Sequence, residues 1–210
     1  MHPLIPYLMP NVQKFEADPF GYSALAWHKW VIAQEVAGFP GDPTKSPTSE
    51  DLKSPILWLT HAHALSEAAK IVLRGTPDLD HLSVFTQGVC DSQYRAVGLM
   101  LVGYSLEICL KAMLIIQMGV EAYSAEERRY KHHDLVELSA FIPGLSEKEK
   151  ATMRLLTHFL KWAGRYPDPG SGREDDAKEI FELSERHQIS GKDLFALAAK
   201  VMQHIQRVVQ

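Results

Sequence analysis

Cysteine is scarce in this chain of 210 residues, which contains only Cys90 and Cys109. Two cysteines without C-x-x-C spacing do not form the disulfide framework of a small secreted protein, a zinc ribbon or a redox motif. Cys109 lies within a long apolar helical pattern, where a free thiol behaves as a small hydrophobe. Apolar residues make up 46% of the sequence, and we expect the core that they form to hold the fold by itself.

Positive charge is not in excess either. The chain has 22 Lys and Arg residues against 26 Asp and Glu residues, which gives a formal net charge of −4. Domains that bind nucleic acid over a broad surface are usually strongly basic. The composition therefore leaves room for a local basic patch and argues against a generally basic surface.

Signals for export, membrane insertion and metal binding are also missing. The N-terminal segment lacks a basic region, and prolines interrupt its apolar stretch. The most apolar segment, 97–120, carries Glu107 and Lys111 near its centre, and each would cost about 2.5–3.5 kcal/mol inside a bilayer. His61 and His63 are two residues apart and point to different helix faces. We therefore predict a cytoplasmic protein with no membrane segment, no metal site and no cofactor.

Alternation with period two, the pattern of strands, is absent, and the long apolar patterns have helical spacing. A cap residue followed by proline predicts a helix over 54–74. An apolar pattern on nearly all faces predicts a central helix over 91–118, with Asp91 or Ser92 as its N-cap. Capping boxes predict helix starts at Ser124 and Ser146, and Ser190 opens a terminal helix.

These patterns predict an all-α fold. We expect one helical domain over 1–210, in which 91–210 form an up-down bundle core of four to five helices. Residues 1–90 add extra N-terminal helices to that core. Short loops between neighbouring helices favour the antiparallel packing of such a bundle.

Two segments carry the most specific pattern of the chain: residues 104–114 read YSLEICLKAML, and residues 131–138 read KHHDLVEL. They resemble the core of HEPN domains, helical bundles of prokaryotes and eukaryotes whose pattern is Glu-x-x-Leu-Lys-Ala-Leu-Leu followed by His-Asp-Leu-x-x-Leu. The resemblance extends over about 100–165, less than half of the chain. Its most specific parts are the Glu–Lys pair of the first segment and the His-Asp-Leu of the second.

This resemblance implies one of several activities. Many HEPN proteins are metal-independent ribonucleases of toxin–antitoxin, abortive-infection or CRISPR-linked systems, and others only bind RNA, a nucleotide or a protein partner. Homodimers are common, and the expected protein partner is a cognate antitoxin or nucleotidyltransferase. The ribonucleases carry Arg, four to six residues, and then His near a dimer cleft, where Arg holds a phosphate and His moves a proton.

Arg128 and His133 have the four intervening residues of that motif. They belong to a cationic cluster with Arg129, Lys131 and His132, near the start of a short helix predicted over 133–141. A helix N-terminus offers free N–H groups to an anion. The cluster is interpreted first as a solvated loop and second as a phosphate-binding site.

A basic ridge lies on the helix that follows, at helical spacing: Lys150, Arg154, His158, Lys161 and Arg165. Only three residues separate Arg154 from His158, and Arg165 is followed by Tyr166 where the resemblance implies an active-site Arg. The ridge is either a solvated face or a surface that tracks phosphates, with Lys161 and Tyr166 adding RNA contacts.

Glu107 and Lys111 are four residues apart in the order that favours an ion pair. Their helix is predicted to be central, so a buried pair would need further polar partners. This buried polar pair is interpreted first as structural and second as part of a polar site.

The leading hypothesis is a HEPN-like module of a prokaryotic defence or toxin–antitoxin type that binds RNA, a nucleotide or a partner protein. In its active form it is a metal-independent endoribonuclease, in which Arg154 or Arg165 holds the phosphate and His158 performs acid–base chemistry. His133 is the reserve candidate. The alternative is a non-catalytic homodimeric interaction module, in which the same side chains are scattered or are bound to Asp and Glu residues.

Overall fold

A computed structural model of the chain describes residues 9–24, 26–42 and 44–209. These residues contain helices and no strand, so the predicted all-α class is confirmed. The up-down arrangement of a bundle stays a prediction, and positions 1–8, 25, 43 and 210 of the predicted domain lie outside the described residues.

Within the described part of the chain the α-helices, α1 to α11, are Val12–Ala17, Pro19–Ala24, Ala26–Val36, Pro55–Arg74, Val84–Met118, Val120–Ala125, Glu127–Tyr130, Leu135–Leu138, Glu147–His158, Glu174–His187 and Gly191–Val209. A 3₁₀ turn lies at Asp51–Lys53 and a π-helical turn at Phe159–Ala163.

Contacts between residues divide the chain into two units, 1–57 and 58–210. In the first unit, Trp30 and Val31 of α3 are buried and pack against Leu57. The second unit contains the main core and all of the candidate residues. Most of α4 belongs to this second unit. The prediction of a single domain over the whole chain stays a prediction.

The long helix α5 supplies much of the main core. It begins at Val84 because the hydroxyl of Ser83 accepts a hydrogen bond from the Thr86 N–H and caps it. The predicted start at Asp91 was wrong, since Asp91 lies inside the helix and pairs with Arg95 at 3.4 Å. The predicted end at residue 118 is confirmed. The buried residues of the second half of α5 include Leu106, Cys109, Leu110, Met113 and Ile115.

Length and composition alone would allow α5 to cross a membrane, because an 18-residue window of it has a mean hydropathy of 1.9. Half of that window is buried inside the structure. The core helix of a soluble protein has the same properties, so this finding is weak support for a membrane span.

The two predicted capping boxes had different outcomes. Ser146 opens α9 with a complete box, in which its hydroxyl accepts from the Glu149 N–H and the Glu149 carboxylate accepts from the Ser146 N–H. The box at Ser124 was wrong. Ser124 lies inside α6, and its hydroxyl has no hydrogen-bond partner among the described residues. The helix that begins at Val120 already runs through this position.

The π-helical turn, Phe159–Ala163, continues α9 with a wider hydrogen-bond spacing. The Gly164 N–H donates to the Phe159 carbonyl at 3.1 Å, which is the five-residue spacing of a π-helix. The carbonyl of Leu160 accepts a hydrogen bond from the Arg165 guanidinium at 3.2 Å. The π-turn therefore fixes the guanidinium that follows it.

This turn lies unusually close to α5, and two glycines make the approach feasible. A Cβ atom on Gly103 would lie 2.9 Å from Leu160 Cγ, and one on Gly164 would lie 2.5 Å from Met100 Cβ. Either contact would force the two segments apart. The close packing is what brings Arg165 beside α5.

The last helix, α11, is anchored at its start by Asp193. Its predicted opening at Ser190 is confirmed, because the Asp193 carboxylate accepts from the N–H and the O–H of Ser190, both at 2.7 Å. Lys148 of α9 adds an ion pair at 2.9 Å. The hydrogen bonds from the Ser190 side chain and then from Lys148 lower the pKa of the Asp193 carboxyl to about 2.

We expect Asp193→Asn to lower the free energy of unfolding at neutral pH and to flatten its dependence on pH in acid. The pKa of about 2 in the folded chain lies below the ordinary 3.8, so the charged carboxylate favours the folded state. That contribution is complete above about pH 4 and is lost as the pH falls toward the folded-state pKa. Urea unfolding of both proteins across this range measures it, and the two curves should converge at the acid end.

The exposed Asp80→Asn variant is the control for the loss of one negative charge. It should follow the wild type closely. A curve for Asp193→Asn that runs parallel to the wild type down to the lowest pH would contradict the role given to this carboxylate.

Candidate functional site

Glu107 and Lys111 of α5 form a buried ion pair in the second unit. Their side chains are 5% and 10% exposed, and Lys111 Nζ lies 2.7 Å from Glu107 Oε1. Lys111 also donates to the main-chain carbonyl of His132 at 3.0 Å. Charges taken out of water need such additional partners. The pair therefore ties α5 to the segment that precedes α8.

The second carboxylate oxygen of Glu107 binds His133. The two atoms, Glu107 Oε2 and His133 Nδ1, are 2.8 Å apart. An ionised carboxylate only accepts hydrogen bonds, so we assign the imidazole proton to Nδ1. The Nε2 lone pair then has no hydrogen-bond partner within the described chain, and 41% of the His133 side chain is exposed. This nitrogen is therefore available to take up a proton.

Local structure holds His133 in place. Asp134 is the N-cap of α8, where its side chain accepts hydrogen bonds from two N–H groups of the first turn. The helix predicted over 133–141 is therefore shorter, Leu135–Leu138, and His133 lies just before it. The Leu135 N–H donates to the buried Thr157 hydroxyl at 3.1 Å, which fixes the start of α8 against α9.

Tyr104 connects this histidine to Arg165. The Tyr104 and His133 rings meet edge to face, with their centroids 6.1 Å apart. Arg165 Nη1 lies 3.5 Å from the Tyr104 hydroxyl, and its guanidinium carbon lies 5.4 Å from the centre of the Tyr166 ring. A hydrogen bond with Tyr166 and the proximity of Tyr104 raise the pKa of Arg165. We call this group of side chains, together with Glu107, the Tyr104–His133–Arg165 site.

The chemistry available at this site is proton transfer beside a fixed cation. His133 can take a proton at Nε2, and the Glu107 carboxylate stabilises the imidazolium that forms. Arg165 is exposed and offers a planar set of N–H donors to a phosphate or a carboxylate. An imidazole with a carboxylate behind it and an arginine nearby suits acid–base chemistry on a phosphate ester.

Other reactive groups are placed less favourably. The described residues contain no group of three His, Cys, Asp or Glu side chains that would suit a metal ion. Burial raises the pKa of the Cys109 thiol to about 12, so this thiol stays protonated and is a poor nucleophile.

His158, the predicted acid–base residue, is 8% exposed and has both ring nitrogens occupied. The Trp162 indole N–H donates to His158 Nδ1 at 3.4 Å, which places the imidazole proton on Nε2. Nε2 donates to Glu179 Oε2 at 2.8 Å. Arg154 binds the other oxygen of the same carboxylate at 2.6 Å. Glu179 therefore occupies both Arg154 and His158.

A groove of about 760 Å³ runs between α9 and α10. Its lining includes Arg154, His158 and Lys161, together with Asp134, the neighbour of His133 in the chain. Arg165 is not part of this lining in the described chain. The structure thus brings Arg154 and His158 together and places Arg165 with Tyr104 instead.

The remaining predicted phosphate-binding residues lie on α7 and just after it. Arg128, Arg129 and Lys131 are exposed. Arg129 pairs with Glu126 at 3.2 Å. This cluster precedes His133 along the chain and adds positive charge to the segment that carries it.

Two important residues were missed from the sequence: Tyr104 of the Tyr104–His133–Arg165 site, and Glu179, which binds Arg154 and His158. Tyr104 lies three positions before Glu107, on the same face of α5, and that spacing was a signal that could have identified it. Glu179 lies on a separate helix that forms its contacts only in the tertiary structure, so no pattern in the sequence pointed to it.

No protein-family model matches this chain, and no curated protein or solved structure matches it at a significant level. The resemblance to HEPN domains therefore stays a prediction from two segments.

We expect Glu107→Gln to destabilise the protein by about 3–5 kcal/mol, because loss of one member of a buried ion pair leaves the other charge unpaired. Urea unfolding of the variant measures this change. The double variant Glu107→Gln, Lys111→Met should recover part of the loss, since it removes the unpaired ammonium as well. Glu126→Gln is the control at an exposed ion pair and should cost less than about 1 kcal/mol. A loss in Glu107→Gln as small as that in the control would contradict the buried pair.

Proposed function

We propose that this protein is a HEPN-like RNA-binding module of a prokaryotic defence or toxin–antitoxin system that cleaves RNA without a metal. The observation that carries the proposal is the hydrogen bond from His133 Nδ1 to the buried Glu107 carboxylate, 2.8 Å long. It orients the imidazole and leaves Nε2 open to solvent. Arg165, whose guanidinium lies 3.5 Å from the Tyr104 hydroxyl, supplies the cation that a phosphodiester needs.

The reaction proposed for this site is an internal attack by the ribose. His133 Nε2 takes the proton of the 2′-hydroxyl, and the 2′-oxygen forms a bond to the phosphorus. The bond from phosphorus to the 5′-oxygen breaks, and that oxygen takes a proton from solvent water. Arg165 binds the non-bridging oxygens, whose charge grows in the transition state. The products are a 2′,3′-cyclic phosphate and a free 5′-hydroxyl.

His158 and Arg154 have no direct part in this reaction. Both are bound to Glu179, and His158 is buried with neither nitrogen free. Acid–base catalysis requires a nitrogen within hydrogen-bond reach of the substrate. In this proposal His133, the reserve candidate, takes the catalytic role suggested for His158, and Arg165 assists it from beside Tyr104.

The first experiment is cleavage of a mixed-sequence single-stranded RNA in EDTA, followed on a gel and by mass spectrometry of the new ends. We expect cleavage by the wild type with cyclic-phosphate ends. His133→Gln should reduce the rate by about 100-fold or more, which is the usual contribution of a general base. Arg165→Gln should also reduce it, because the phosphate loses its cation.

The control is His63→Gln, at an exposed histidine of α4 whose side chain is 69% exposed. This variant should cleave at the wild-type rate. Circular dichroism confirms that each variant is folded. An inactive wild type, or equal rates for the wild type and His133→Gln, would overturn the proposed ribonuclease.

The second candidate function is a non-catalytic homodimeric interaction module. The start of α5 favours it, because Val84, Phe85 and Val89 are 80%, 91% and 59% exposed. Large apolar side chains in contiguous exposed positions often mark a protein–protein contact. A second copy is the occupant proposed, since Phe85 and Val89 are one helical turn apart and two such stripes can pack on each other around a two-fold axis.

We expect Phe85→Asp to convert a dimer into a monomer, because a charge in that contact would be buried without a partner. Sedimentation velocity of both proteins measures this change. Thr86→Asp, at the neighbouring exposed position, is the matched control and should remain dimeric. A monomeric wild type would contradict the proposed contact.

The protein partner that we propose for the HEPN-like module in a toxin–antitoxin system is the cognate antitoxin or nucleotidyltransferase. A cytoplasmic location belongs to the same proposal, because that is where RNA and such partners meet. The buried Glu107–Lys111 pair on α5 supports it against a membrane location, where the charges would be costly.

A further inference from the structure

Four members of the predicted basic ridge stay together in the structure. Lys150 and Arg154 lie on α9, His158 ends that helix, and Lys161 lies in the π-turn that follows. All four line the groove between α9 and α10. The ridge is thus a real cationic surface, although α10 faces it.

The helix α10 is strongly acidic. Its fourteen residues include six acidic ones: Glu174, Asp175, Asp176, Glu179, Glu182 and Glu185. Of these, Asp176 and Glu179 line the groove opposite the ridge. Asp176 pairs with Arg173, and Glu179 is the carboxylate of α10 that contacts the ridge.

Glu179 binds the ridge as a phosphate group would. One of its oxygens accepts from Arg154 Nη2 at 2.6 Å, and the other accepts from His158 Nε2 at 2.8 Å. Charge-assisted hydrogen bonds of this kind are the ones that arginine and histidine form with phosphate oxygens. The ridge therefore contains a formed anion site that a carboxylate of the same chain fills.

The helix α10 packs on α9 along one face, through side chains that are half-buried. None of its residues is buried, whereas the second half of α5 and most of α9 are. The connection before α10 contains Gly170 and Gly172 with positive φ angles, and Gln188 after it has a φ of 46°. A helix without a buried residue opens at a lower free energy than the buried core does.

We propose that α10 covers the α9 ridge through Glu179, whose carboxylate stands in the place of a phosphate group, and that single-stranded RNA displaces this helix. The identity of the ligand as RNA rests on the proposed function. An RNA strand brings several phosphates at once, so it engages Lys150 and Lys161 as well as the pair held by Glu179. The ridge is then the binding surface that delivers RNA to the protein, separate from the residues that cleave it.

Because α10 covers the ridge, only protein molecules in which α10 is displaced can bind RNA, and the apparent affinity of the ridge for RNA is lowered. Weakening the cover must therefore strengthen binding. Glu179→Gln weakens the contact between α10 and the ridge most selectively. The amide has only one oxygen for the two donors, Arg154 and His158, and its NH₂ group faces the remaining donor.

The test is fluorescence anisotropy with a labelled single-stranded 2′-O-methyl oligouridine. This probe has no free 2′-hydroxyl and is not cleaved, so its binding is measured whether or not the protein is a ribonuclease. We expect Glu179→Gln to bind it about tenfold more tightly than the wild type, in line with a larger competent fraction. The double variant Arg154→Gln, Glu179→Gln should lose this gain.

Glu182→Gln is the matched control. It removes the same charge from the same helix, but Glu182 pairs with Lys178 at 3.3 Å and does not contact the ridge. Its affinity should stay close to that of the wild type. An equal gain in affinity in Glu179→Gln and Glu182→Gln would show that net charge alone causes the effect, and it would overturn the proposal. An unchanged affinity in Glu179→Gln would also overturn it.

Hydrogen exchange on the unaltered protein gives a second readout that does not depend on the folding of a variant. With saturating probe, the amides of α10 should lose protection while those of α5 keep it. Unchanged protection of α10 in a complex that has formed would overturn the displacement. A protein that passes both tests and still fails to cleave RNA would retain the covered ridge and lose only the proposed ribonuclease.

Discussion

The carboxylate of Glu107 is the group on which most of the site depends. It is buried and binds an ammonium with one oxygen and an imidazole with the other. A buried charge of this kind persists only where its partners are held in good geometry. The requirement links α5 to the segment 132–133, because Lys111 also binds the carbonyl that precedes His133. The buried carboxylate therefore sets the orientation of His133, whose second ring nitrogen faces solvent.

The two histidines that the sequence singled out differ in what surrounds them. His133 has a carboxylate on one nitrogen and solvent at the other, whereas His158 has a carboxylate on one and an indole N–H on the other. A histidine with both nitrogens satisfied inside the protein serves as a structural hydrogen-bonding residue. The difference comes from Trp162, one turn after His158, and from Glu179 on α10.

The π-turn and α10 divide the predicted ridge between two roles. The π-turn packs against α5 at Gly103, and this contact carries Arg165 to Tyr104. The rest of the ridge faces an acidic helix with no buried residue. The helix α9 and the π-turn thus lead to Arg165, the cation of the Tyr104–His133–Arg165 site. They also form the larger cationic surface that faces α10. The net negative charge of the chain is compatible with both, since part of the acidic excess lies on α10.

Local patterns were sufficient for the fold class and for several boundaries. The spacing of apolar residues determined the all-α class, the Ser54–Pro55 pair set the start of α4, and the capping residues Ser146 and Ser190 set the starts of α9 and α11. Each of these is decided by neighbours within one or two helical turns. The same rule failed at Ser124, where a capping motif lies inside a helix that had already begun.

The spatial grouping of the polar residues was decided by tertiary structure alone. The sequence determined which cations and histidines exist and that Glu107 and Lys111 lie one turn apart. It did not determine that His133 would bind Glu107, that Arg165 would leave the ridge for Tyr104, or that Glu179 would fill the anion site. These contacts join residues at least 20 positions apart, on elements whose approach depends on core packing and on Gly103 and Gly164. Helical periodicity describes one helix at a time and carries no information about which faces meet.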